Sequence, residues 1–83
     1  MPITVFDASG VPEHRRESLE QAVEAAGRTA RGNHEAWIVP SSARKGFCVR
    51  ITGPDGFYRQ ADFGYEQSDA EVSERIRQVL SQG

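Results

Sequence analysis

The sequence predicts an α+β domain of two layers: an antiparallel sheet of three to four strands with two helices on one face, in the order β-α-β-β-β-α. Three observations predict it. Residues 12–30 and 69–81 each carry one apolar stripe at helical spacing, and a helix with one stripe has one face to bury. Between them lie three strand signals with no helix intervening, and short links between consecutive strands favour antiparallel pairing. The chain has 83 residues, which makes one domain, residues 1–83, with no room for a separate cofactor domain.

Residues 3–6 alternate Ile, Thr, Val, Phe between Pro2 and the turn-forming Asp7-Ala-Ser-Gly10, the pattern of a short strand. Pro12 suits a first helical turn, and Glu13 and Glu17 suit its positive end. Leu19, Ala22, Val23, Ala26 and Ala30 then share one helical face. That stripe is mostly Ala, so the helix lies close against whatever it covers. Either Gly27 ends it early or Gly32-Asn33 ends it later.

The three strand signals are residues 36–39, 47–52 and 57–63, rich in β-branched and aromatic side chains. Gly53-Pro-Asp-Gly56 places Pro at i+1, Asp at i+2 and Gly at i+3, where Gly takes a positive φ and forms the bulge of a type I hairpin. Asp55 is read as a turn residue. Ser68 followed by Glu71 is a capping box, and Val72, Ile76, Val79 and Leu80 mark the buried stripe of a helix over 69–81.

Period two sorts the strands into faces. Phe47, Val49 and Ile51, then Phe57, Ala61 and Phe63, then Trp37 and Val39 are expected to face the helices. Arg50, Tyr58, Gln60 and Asp62 are expected on the open face, with Ala36 and Ile38. Arg59 breaks the pattern and is expected at an edge of the core with its head in water. Leu19 and Val23 join Phe47, Val49, Ile51, Phe57, Phe63, Val72, Ile76, Val79 and Leu80 in the expected core.

That core is thin. Leu, Ile, Val and Phe account for 17 of the 83 residues, and only the net charge of -2 pulls the composition away from disorder. Small domains often gain stability from a second subunit, so a homodimer or another protein partner is expected. A short apolar strand at 3–6 adds to this, because it can pair at an edge of its own sheet or of a neighbour's. The longest apolar run, Ala36 to Val39, is far short of a membrane span, and no charged-then-apolar leader opens the chain. With the lone Cys48, these features point to the cytoplasm.

Charge is segregated: residues 1–27 carry -3, residues 28–59 carry +4 and residues 60–83 carry -3. Nine of the ten cations are Arg, whose planar fork suits phosphate and carboxylate. The simplest reading of such blocks is solvated surface. Catalysis and metal binding find no support in spacing. His14, His34 and Cys48 form no ligand motif, and both histidines read as surface residues. Cys48 alternates with core positions and reads as a small semi-buried thiol. No glycine pattern links strand to helix as a phosphate cradle would require. Trp37 reads as packing. No catalytic residue, metal or cofactor is therefore expected.

At Trp37-Ile-Val and at Lys45-Gly-Phe-Cys-Val-Arg-Ile-Thr-Gly-Pro-Asp-Gly-Phe-Tyr-Arg the chain resembles short uncharacterised proteobacterial proteins. The resemblance covers the C-terminal two thirds and implies a hairpin, not an activity. Residues 12–81, read as α-β-β-β-α, are also similar in topology to the double-stranded-RNA-binding domain. That similarity implies phosphate contacts from the loop Pro40-Ser-Ser-Ala-Arg-Lys-Gly46, through Arg44 and Lys45, and from lysines opening the last helix. The matching helix start here reads Ser68-Asp-Ala-Glu-Val-Ser-Glu74, three carboxylates that repel a phosphate backbone.

The function expected from the sequence is a non-catalytic binding or assembly module that contacts protein. The alternative is a nucleic-acid-binding accessory protein that uses the basic middle segment. Arg44, Lys45, Arg50, Tyr58 and Arg59 are the candidate binding residues.

Overall fold

The computed structural model describes residues 3–30, 32–43 and 45–81. Its elements are β1 (Ile3–Asp7), α1 (Glu13–Ala26), a 3₁₀ turn at Gly27–Thr29, β2 (His34–Pro40), β3 (Gly46–Thr52), a 3₁₀ turn at Pro54–Gly56, β4 (Tyr58–Gly64) and α2 (Asp69–Ser81). The two 3₁₀ turns stand in addition to the expected series. The four strands form one sheet in the order β1-β2-β3-β4, with both helices packed on one face. No helix among the described residues is long and apolar enough to cross a membrane.

The sheet is mixed, which corrects the expectation of a fully antiparallel one. β2, β3 and β4 form an antiparallel meander, but β1 pairs with β2 in parallel. The reason is topological: α1 carries the chain back along the sheet before β2 begins, and a strand-helix-strand crossover returns to the same end. The strand at residues 3–6 thus pairs within its own chain.

A second correction concerns β2. Ala36 and Ile38 are fully buried beneath the helices, while Trp37 and Val39 lie on the other face. Register enforces this, since Ala36 pairs with Ile51 and Ile38 with Val49, both core positions, whereas Trp37 pairs with Arg50. Both phases of Ala-Trp-Ile-Val are apolar, so alternation alone could not choose between them.

The rest of the core follows the sequence. Leu19, Val23, Phe47, Val49, Ile51, Phe63, Val72, Ile76 and Val79 are buried together, with Phe57 and Leu80 packed against them. Ile3, Ala8, Val11 and Ala26 complete the cluster. Gly27 ends α1, and a Cβ there would fall 2.5 Å from Ile3 Cγ2, so only glycine lets the helix end sit on β1. The capping box of α2 is complete: Ser68 N–H donates to Glu71 Oε1 at 2.9 Å, and Glu71 N–H donates to Ser68 Oγ at 3.2 Å.

The β3–β4 turn differs from the expected type I form. Asp55 has φ 59° and Gly56 φ 76°, the two positive values of a primed turn, whose twist matches that of the flanking strands. Phe57 N–H donates to Pro54 C=O at 3.2 Å. Pro54 has no N–H to return, so Gly53 donates to Phe57 C=O instead, at 3.1 Å.

One tie between elements has no sequence signature. Arg15, on the first turn of α1, donates to Tyr65 C=O, Gln67 C=O and Asp69 Oδ1 at 3.0, 3.1 and 2.8 Å, with its guanidinium 5.9 Å from the centre of the Phe47 ring. It clamps α1 to the β4–α2 link and to the start of α2. The bond from Arg15 holds the Asp69 carboxyl below the usual carboxylate range, with help from Ser18 and against a smaller opposing effect of burial.

Candidate functional site

No described helix lies on the second face of the sheet, and its side chains can be placed row by row from the register. One row across the strands reads Thr4, Glu35, Thr52, Tyr58; the next Asp7, Trp37, Arg50, Gln60; the third Val39, Cys48, Asp62. A register shift between Val5 and Asp7 sets Phe6 beside the second row, where its ring stacks on Trp37 with centroids 5.7 Å apart and planes at 24°. Phe6 is 59% exposed and Tyr58 49% exposed. These rings keep aromatic area in contact with water on this face.

Polar groups surround these rings. Tyr58 OH donates to Gln60 Oε1 at 3.1 Å, Ser41 Oγ donates to Asp62 Oδ1 at 2.7 Å, and Thr52 Oγ1 lies 3.5 Å from Glu35 Oε1. Asp7 is occupied at its end of β1 by the Ser9 N–H and hydroxyl. The rows thus carry Arg50 against Asp7, Glu35 and Asp62, a net negative field. Cys48 sits on this face yet is buried between its cross-strand neighbours Val39 and Asp62. Burial, then the Asp62 carboxylate, pushes its thiol up from the ordinary value, with Arg50 opposing. A thiol held protonated is a poor nucleophile.

The described candidate binding residues do not converge. Arg50 and Tyr58 lie on the helix-free face, as expected. Arg59 lies on the opposite face, opposite Ile51, with its guanidinium 4.9 Å from the centre of the Phe57 ring and donating to Tyr58 C=O. This matches the expected position at an edge of the core and removes Arg59 from any patch with Arg50. Lys45 is exposed in the β2–β3 link, five residues and therefore about 17 Å along the strand from Arg50. Arg44 lies outside the described residues. Among the described candidates, Lys45, Arg50 and Arg59 do not form one basic patch.

Phe6, Trp37 and Val39 were not among the expected surface residues. The available signal was that both phases of β2 are apolar, which implies apolar side chains on both faces whichever phase is buried. His34 corrects another expectation: it is buried, its ring meeting Phe57 edge-on at 5.1 Å, with no partner for Nδ1 among the described residues. His14 is exposed on α1. No group of three or more His, Cys, Asp or Glu side chains among the described residues is arranged to hold a metal ion. The chain matches no known protein family, no curated protein and no solved structure.

Proposed function

We propose that this chain is a non-catalytic module that docks protein through the helix-free face of its sheet. The observation that carries the reading is the stacked Phe6–Trp37 pair, held on a four-stranded sheet with Arg50 and Tyr58 on the same face. Aromatic and Arg side chains are the usual anchors of protein interfaces, and a rim of Glu, Gln and Asp supplies hydrogen bonds around them. The same rings would suit stacked bases, and charge separates the two partners. Phosphate binding draws on clustered cations, whereas the described residues of this face set three carboxylates against one guanidinium, with Lys45 remote.

The test is a photo-reactive phenylalanine analogue placed at Tyr58 and, separately, at exposed Arg75 on α2, irradiated in cells with the adducts identified by mass spectrometry. Protein adducts from position 58 that position 75 does not give are expected. Nucleic-acid adducts, equal labelling from both positions, or no adduct from position 58 would overturn the reading.

A further inference from the structure

We propose that the occupant of the helix-free face is a second copy of this chain, packed face to face about a two-fold axis that runs along the strands between β2 and β3. The proposal rests on the reading of this face as a protein-docking surface. In a two-fold interface each patch meets its own copy, so the position of the axis decides which residue meets which. With the axis between β2 and β3, Trp37 meets the partner subunit's Arg50, and Arg50 meets the partner subunit's Trp37. A guanidinium over an indole is among the strongest pairings of a cation with an aromatic ring, and symmetry provides it twice.

The neighbouring rows agree with this axis. Val39 falls on the partner subunit's Cys48, apolar on apolar, and Glu35 falls on the partner subunit's Thr52. Asp7, bonded to Ser9, falls on the partner subunit's Gln60, and Asp62, on edge strand β4, stays at the rim, so each face is net negative but no carboxylate is set on another. An axis across the strands through the Trp37–Arg50 row would instead press Arg50 onto the partner subunit's Arg50, two like charges losing water together.

Area sets the strength. Three strands of seven residues and one of five, about 4.8 Å apart, give a face of roughly 400 Å² per subunit in projection. Twice that falls below the roughly 1,200 to 2,000 Å² of stable interfaces and among weak, transient ones, so the dimer exchanges in the micromolar range and is not obligate.

Sedimentation equilibrium of the full chain across that range is expected to show a mass rising from 9.2 kDa toward twice that value. Trp37 is the chain's one tryptophan, and its fluorescence is expected to shift along the same curve. Arg50→Ala and Trp37→Leu are each expected to weaken association about tenfold or more. An equimolar mixture of the two variants is expected to recover part of the loss, because the mixed dimer re-forms one Trp37–Arg50 contact that neither variant makes with itself. Arg50 is exposed, so its variant reports on association without disturbing the core. A mass fixed at 9.2 kDa throughout would overturn the second copy as occupant, while a Tyr58 adduct with a different protein would preserve the docking reading. A dimer unaffected by either variant, or a mixture that fails to recover, would overturn the placement of the axis.

Discussion

The two faces of one sheet, built from alternate residues of the same strands, have opposite chemistry. On β3, Phe47, Val49 and Ile51 are fully buried beneath α1 and α2, while Arg50 between them is exposed. On β2, Ala36 and Ile38 are fully buried, and Trp37 between them is only half-buried with Phe6 stacked on it. The covered face holds the fold together, because its apolar area is already removed from water. The open face keeps aromatic area in contact with water, which contributes little to folding and remains available for association. Substitutions that read the two faces separately can therefore break or sharpen this division.

The largest effect is expected on the covered face. Ile76→Ala removes a fully buried side chain from α2 and leaves a cavity beneath the sheet, a loss of about 2 to 5 kcal/mol and much of the stability of so small a domain. Denaturant unfolding measures it. A loss below about 0.5 kcal/mol would mean that α2 does not seal that face.

The clamp at the helix ends should rank second. Arg15→Ala removes three hydrogen bonds from a side chain only 18% exposed and leaves Asp69 without its cation, a loss of about 1 to 3 kcal/mol. The pH dependence follows from the lowered Asp69 carboxyl. A carboxyl depressed in the folded state contributes stability above its unfolded value, near 3.9, and that contribution fades as pH falls through the folded value. In Arg15→Ala this part of the acid limb should flatten. Matching wild-type and variant stability curves from pH 5 down to pH 2 would show that the clamp carries no such linkage.

These contacts also show what the sequence could and could not disclose. α2 was legible over its full span because Ser68, Glu71 and the Val72-Ile76-Val79 stripe agree with one another, each signal lying within a few residues of the next. The Arg15 clamp was not, because its partners lie 50 to 54 residues away with no periodicity linking them. The β2 face is not legible locally because Ala36-Trp-Ile-Val39 is apolar in both phases, so only pairing with β3 selects one. That single ambiguity hid the candidate site: exchanging the phases moves Trp37 from core to surface and turns an isolated Arg50–Tyr58 pair into a face with a stacked aromatic centre. The parallel pairing of β1 was hidden for a related reason, since a local pattern names a strand without naming its neighbour.

The smallest effect is expected at the open face, and adjacent residues of β3 give the sharpest contrast. Arg50→Ala and Ile51→Ala truncate side chains on consecutive residues that point to opposite faces. Ile51 is fully buried opposite Ala36, so its truncation should cost about 2 to 5 kcal/mol. Arg50 is exposed, and removing it should change monomer stability by no more than about 0.5 kcal/mol in either direction. Both values must be taken at dilute protein, because association through the open face would add its own stabilisation to the wild type and inflate the apparent cost of Arg50→Ala. Repeating the measurement at high concentration supplies the second half of the argument: the Arg50 cost should grow with concentration while the Ile51 cost does not. Equal costs for the two variants at dilution would mean that Arg50 belongs to the folding core, and the division between a face that folds and a face that docks would fail.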